Sequence, residues 1–406
     1  MLTRRDALSL FGAGFVTAWI GPGARIAFAA APTDHRFVVV ILRGALDGLA
    51  AVPPLGDRDY QSQRRDLAFA SAGSSDGALD LDGYFGLNPA LQPLHDMFKA
   101  RELLMFHAVA TPYRARSHFD GQDLLENGTT SPRGPDSGWL NRALGLIGSD
   151  SERIGLAVGQ SVPLILRGKT PVGAWAPRQI PELDAGFLDR LAALYKGDKL
   201  FAPALAEGIA AQNRNDEVLA GSDKKGPGMG MQYGAGALKG VVADVGKLLA
   251  DPNGPRIAAM DAGGWDTHAG QGVLTGRLAG ALKGLGESLA ALKESMGPAW
   301  NKTVVAVVTE FGRTVAENGT GGTDHGTAGV SFLLGGAVQG GKVVTRWPGL
   351  SASALFEGRD LAPTLDLRSV LKGVLAEHLE LSPRDIDSTV FPDSASALPL
   401  RGLARV

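Results

Sequence analysis

Apolar residues in this chain gather into short unbroken runs, each closed by a polar, glycine-containing turn, and in a few places into three- and four-residue periods. Phe37 to Leu42 (FVVVIL) is continuous and β-branched, the pattern of a strand covered on both faces in a parallel sheet. Leu103 to Val109 reads the same way. So do RIAAM, which ends on Asp261, TVVAVVT, which ends on Glu310, and VSFLL after Gly329. Between the second-last pair, Leu278, Leu282, Leu285, Leu289 and Leu292 define an amphipathic helix over Gly276 to Met296. Strand, helix, strand is a right-handed parallel crossover. Leu87 to Ala100 predicts a helix capped by Asn88 with Pro89 in its first turn, a helix starts near Gln122 to Glu126, and Leu367 to Leu375 marks a late one. The pattern predicts an α/β fold, a sandwich whose largely parallel central sheet is flanked by helices.

From about 131 to 240 the periodicity weakens into short apolar pieces between Gly, Pro and Asp, ending in the glycine-rich KKGPGMGMQYGAG. This stretch is expected to be an insertion or cap. The first 30 residues read as a targeting segment. Arg4-Arg5 precede a diluted apolar stretch, Leu8 to Ile20, and a small-residue site, Ala27-Phe28-Ala29. That is the layout of a twin-arginine (Tat) signal, with the Tat export machinery as a partner and a periplasmic or secreted destination. The apolar stretch is shorter than the roughly 20 residues that span a bilayer, and no later one is long enough, so no stable membrane span is expected. The folded domain is then 31–406.

Composition narrows the chemistry. Net charge is −2 over 406 residues and no Lys/Arg run stands out, which argues against a nucleic-acid partner. There is no cysteine, so any metal must be held by His and carboxylate. The strand ends supply such groups: Asp47 after FVVVIL, Ser117 and His118 after the second strand, Asp261, Asp266 and His268 in the stretch through GGWDTH, Glu310 in TEFGRT, and Asp324 and His325 in GTDHG. Asp261, His268 and His325 make a zinc-type set with a position left open. Asp266 competes with Asp261 as the partner of His268. Asp47, Ser117 and Glu310 would make a harder site for a second cation such as Mg, Mn or Ca, with Ser117 as the nucleophile. Arg114, Arg116 and Arg313 would grip an anionic group, or form ordinary salt bridges. Ser117 reads equally as a helix cap, and Glu310 as an ion-pair partner of Arg313. His35, His95, His107 and His378 are expected to be structural. GAVQGGK lacks the Ser/Thr of a phosphate loop, and Asn127-Gly-Thr and Asn318-Gly-Thr read as turns.

The order strand–Asp47, loop–Ser117, strand–Asp261 to His268, strand–Glu310, His325–strand resembles the alkaline phosphatase superfamily, which includes sulfatases and cofactor-independent phosphoglycerate mutases. More narrowly, the paired arginines with RSHFDGQ, GGWDTH, TEFGRT and GTDHG resemble the bacterial domain-of-unknown-function family 1501 over nearly the whole mature chain. The resemblance implies an alkaline-phosphatase-like fold and a metal-dependent hydrolase of phosphate or sulfate esters, acting on a small-molecule or polysaccharide ester. One departure stands out. Where the superfamily has Asp-His, this chain has Glu310-Phe311, and Phe binds no cation, so His118 or Asp324 would have to replace the missing ligand. The alternative is a catalytically degenerate member that binds a ligand or partner without turnover.

Overall fold

The computed structural model describes residues 33–405 apart from 71–73, 75–76, 149–153, 178–184 and 220–234, so the signal expected at 1–30 lies outside the described residues. In chain order the elements are β1 (Arg36–Arg43), α1 (Gly48–Ala51), α2 (Tyr60–Arg64), α3 (Gln92–Lys99), β2 (Leu103–Ala110), α4 (His118–Asn127), α5 (Trp139–Ile147), β3 (Gly155–Val158), β4 (Gly173–Trp175), α6 (Ala185–Tyr195), α7 (Phe201–Val218), α8 (Ala235–Ala250), β5 (Ile257–Gly263), α9 (Arg277–Met296), β6 (Thr303–Val308), β7 (Gly329–Leu334), β8 (Lys342–Val344), β9 (Leu365–Asp366) and α10 (Leu367–Glu377). Apart from a separate antiparallel pair at Leu79–Asp80 and Gly86–Leu87, nine strands form one sheet in the order β8-β2-β7-β6-β1-β5-β3-β4, with β9 also pairing β2. β7 alone runs against its neighbours β2 and β6; the other pairings are parallel. This is the expected α/β architecture with a largely parallel sheet.

Alternation along β1 shows why its run is apolar throughout. Phe37, Val39 and Ile41 pack with α5 and α10 on one face, while Val38, Val40 and Leu42 pack with α3, α8 and α9 on the other. All five leucines of the periodic helix α9 are buried, each contributing about 1.5–3 kcal/mol. Within the stretch at 131–240, expected to be an insertion or cap, α5, β3 and β4 join the central body, and α6 and α7 share a small cluster of Leu191, Tyr195 and Leu205. No described helix is long and apolar enough to cross a membrane.

Two of the histidines expected to be structural lie in the core. His107 on β2 donates from Nε2 to the Val52 carbonyl at 3.0 Å and accepts the Ala108 N–H on Nδ1 at 2.9 Å, so its neutral form is fully paired. His378, at the end of α10, bonds the Arg36 carbonyl at 2.9 Å. Burial pushes each from the usual 6.5 down to about 4. A histidine held neutral in the fold leaves stability intact above pH 6.5. As pH falls from there towards 4, only the unfolded chain takes up the proton, and stability drops by on the order of 3 kcal/mol per residue. Denaturant titrations at pH 7, 5.5 and 4 should show this fall, and His378→Gln should flatten it. An equal slope in the variant would remove His378 from the account.

Candidate metal centre

The carboxyl ends of β1, β2, β5 and β6 lie at one edge of the sheet, and the loops leaving them meet there. Because β7 runs the other way, the residues just before it, including His325, arrive at the same edge. This is where ligands bind in open α/β sheets. His118 enters as the first residue of α4, with Ser117 at the cap position; the Ser117 side chain makes no capping bond. α4 ends at Gly128, whose φ of 72° closes the helix through a bond to the Leu124 carbonyl.

Three imidazoles converge at this edge, each tethered through Nδ1. His118 donates to Glu310 Oε1 at 2.7 Å, His268 to Asp324 Oδ1 at 3.1 Å and His325 to the carbonyl of Arg116 at 3.0 Å. A proton fixed on Nδ1 leaves the Nε2 lone pair facing inward. The Nε2 atoms of His118 and His325 are 2.9 Å apart, and those of His268 and His325 3.0 Å. Asp266 sits among them, with oxygens 3.6, 3.0 and 3.4 Å from the Nε2 atoms of His118, His268 and His325. Lone pairs opposed at such distances repel unless a proton or a metal cation lies between them. For comparison, tetrahedral zinc with Zn–N bonds of about 2.0–2.1 Å places its nitrogens about 3.3 Å apart. His118, Asp266 and His325 form a group that could hold a metal ion, and His268 flanks it. The side chains of the three are 23%, 43% and 26% exposed, so the group is open to solvent on one side.

Surrounding residues set the electrostatics. The Glu310 hydrogen bond raises the pKa of His118, while burial and the neighbouring His118 lower that of His325. Burial pushes Asp266 up, but Arg313, His268 and His118 together hold it below the usual carboxylate range. Arg313 is fully buried, donates to Asp266 Oδ1 at 2.6 Å and also bonds the Thr323 carbonyl. Glu310 is buried and accepts from Gly44 N–H at 2.8 Å and from Gln122 at 3.2 Å besides His118; these bonds outweigh its burial and lower its pKa. The amide side chain of Asn318 holds Asp324 from outside at 3.0 Å and lowers its pKa. Phe311 stacks on His118 with ring centroids 5.0 Å apart and walls the inner side.

The structure thus brings together His118, Asp266, His268 and His325, and places several other expected ligands differently. Asp261 is not in the imidazole group. It pairs with Arg43 at 2.9 Å, burial raises its pKa, and Arg43 also binds Glu126. Asp47 caps α1 through Leu49 and Ala50 N–H and accepts from Arg64 at 2.6 Å and Gln271 at 2.7 Å, which leaves it no free face for a cation. Glu310 and Asp324 reach the imidazoles through Nδ1, as orienting acceptors. Arg116 is engaged by Asp360 and Glu357, Arg313 by Asp266, and Arg114 through Nη1 by the carbonyls of Thr111 and Tyr113. Sequence reasoning passed over Gln122 and the Arg116 carbonyl. Asn318, expected to be a turn residue, also holds Asp324.

A largely parallel α/β sheet with a His/Asp cluster at its carboxyl edge defines an α/β protein with a candidate metal centre. Residues 104–390 match the family model described as protein of unknown function (DUF1501), and the chain belongs to that family. No curated protein matches the chain in sequence. Among solved structures it is similar to Ps i-CgsB in complex with k-i-k-neocarrahexaose, at 13% identity and a TM-score of 0.38, covering 75% of this chain and 66% of that one. It is also similar to the zinc complex of the C-terminal periplasmic domain of EcEptC from Escherichia coli, at 10% identity, TM-score 0.37 and coverage of 79% and 76%. A putative sulfatase from Bacteroides thetaiotaomicron gives 10% identity, TM-score 0.38 and coverage of 77% and 67%. Likeness at this level does not carry an activity.

Proposed function

We propose that this chain is an exported, metal-dependent hydrolase of phosphate or sulfate esters, built around one divalent cation, zinc by its donor set, held by His118, Asp266 and His325 with His268 beside them. One observation carries the reading: three imidazoles with their Nδ1 protons tied down present Nε2 to a shared carboxylate at a solvent-open sheet edge. When bound, the cation would supply Lewis-acid polarisation of an ester oxygen. Glu310 holds the proton on His118 Nδ1, Asp324 that on His268, and the Arg116 carbonyl that on His325. Arg313 fixes the rotamer of Asp266 and balances its charge. Phe311 keeps water from the inner side of the cluster. Ser117, directly before His118 and unused as a cap, is the nucleophile of this reading. The export step rests on the paired arginines at the amino terminus.

A second reading is a binding protein without turnover. It is favoured by the engagement of Asp47 with Arg64 and Gln271 and of Glu310 with His118, which leaves a second cation without those two ligands. Elemental analysis of protein purified without chelator, together with a panel of aryl phosphates and sulfates, separates the two. The hydrolase reading expects about one zinc per chain and turnover that falls by 10²-fold or more in Ser117→Ala. One metal with no turnover on the panel selects the second reading. Equal turnover in Ser117→Ala removes the nucleophile assignment and leaves the metal centre standing.

A further inference from the structure

We propose that Asp360 is a positioning residue for His325, holding this imidazole through two arginines; the proposal rests on the reading of His325 as a cation ligand. Asp360 has no exposed surface and lies outside the ligand cluster. Its Oδ2 accepts from Arg116 Nε at 2.8 Å and from Thr327 Oγ1 at 2.7 Å, and its Oδ1 accepts from Arg359 Nε at 2.8 Å. Both arginines then touch His325, at different points. The carbonyl of Arg116 receives the ring's Nδ1 proton at 3.0 Å, and the Arg359 guanidinium donates to the His325 backbone carbonyl. One buried carboxylate therefore fixes the ring at its distal nitrogen and the backbone from which the side chain hangs.

The backbone of Arg116 explains why such a clamp is needed. Its φ is +60°, in the left-handed region that a residue with a side chain rarely adopts. That turn lies directly before Ser117 and His118, and its carbonyl is the one that His325 Nδ1 meets. Two hydrogen-bonding nitrogens of Arg116, Nε and Nη2, both reach Asp360 Oδ2 at 2.8 Å, so the pair restrains the residue in this conformation. Glu357 also pairs with Arg116, at 2.5 Å, but is 57% exposed, and water can replace it. The two carboxylates share a partner and differ in burial, which makes Glu357 the natural control. Acceptors on the distal nitrogen set ligand basicity and ring orientation, and their loss weakens metal binding by about 10–100-fold.

The test uses the full chain stripped of metal and titrated with cobalt(II), whose visible band reports the coordination geometry, and with zinc in competition. Asp360→Asn leaves the acceptor in place but loosens the turn that carries it. It is expected to weaken cobalt binding by about 10-fold, the low end of the range for a lost acceptor, and to shift the band, while Glu357→Gln leaves both unchanged. A merely structural role would lower the melting temperature of Asp360→Asn without moving the band. Thr327→Val, which removes one donor to Asp360, should shift affinity and band in the same direction by less, and it decides the matter should Asp360→Asn fail to fold. If wild type binds no cobalt, or His325→Ala binds as tightly as wild type, the metal reading itself falls. If His325→Ala loses cobalt while Asp360→Asn and Thr327→Val keep affinity and band, the positioning role is overturned and the metal reading stands. Equal effects of Glu357→Gln and Asp360→Asn would also overturn it.

Discussion

His325→Ala is expected to yield a folded protein that no longer retains zinc. His325 is the hub of the cluster: its Nε2 lies 2.9 Å from that of His118, 3.0 Å from that of His268 and 3.4 Å from Asp266. Structural zinc sites with four ligands are worth about 10–16 kcal/mol, so removing one ligand costs about 3 kcal/mol or more, at least a hundred-fold in affinity. The fold should tolerate the change, because the ring is partly exposed and its tether is a single hydrogen bond to a carbonyl. Removing Asp266 is a harsher test. It strips the buried Arg313 of its carboxylate partner and so lowers stability as well as removing a ligand. Zinc content per folded chain, measured after gel filtration, is the readout. A full equivalent of zinc retained by His325→Ala would refute the centre.

Asp47→Ala should have the opposite signature, a large loss of stability with zinc content unchanged. Asp47 and Arg64 form an ion pair at 2.6 Å with side chains 1% and 0% exposed. Removing the carboxylate leaves a guanidinium charge in the interior, at a cost of about 3–5 kcal/mol. Loss of the α1 cap adds about 1 kcal/mol, and the Gln271 amide loses its acceptor as well. Gln271 Oε1 keeps accepting from Thr267 and Thr323, so the loops that carry His268 and His325 stay anchored. Asp47→Asn keeps the shape and one acceptor and should lose less. Denaturant unfolding beside elemental analysis distinguishes the outcomes: normal stability with lost zinc would restore Asp47 as a ligand.

Much of the architecture was legible because its strands are covered on both faces and therefore read as unbroken apolar runs. The leucine spacing of α9 was equally plain. Strands β3 and β4 escaped notice because Gly155–Val158 and Gly173–Trp175 are too short to show any period. The direction of β7 could not be read either, since VSFLL is the same whichever way it runs. At the site, His268 and His325 stood out through their glycine-rich, acidic surroundings. The division of labour among the carboxylates did not, because each is decided by an arginine or imidazole remote in sequence. Arg43 takes Asp261, Arg64 takes Asp47, Arg313 takes Asp266 and His118 takes Glu310. The left-handed turn at Arg116 has no glycine to announce it.

The reversed strand β7 has a consequence for biosynthesis. It lies between β2, whose following loop brings His118, and β6, which connects through β1 to β5, whose following loop brings Asp266 and His268. A ribosome that has delivered everything up to β6 has made His118, Asp266 and His268 on two sides of a gap that Gly329–Leu334 closes, and has yet to make His325. On the proposed reading of the cluster, ion capture waits for His325 and this strand, and shortened polypeptides ending before that segment should emerge without bound metal.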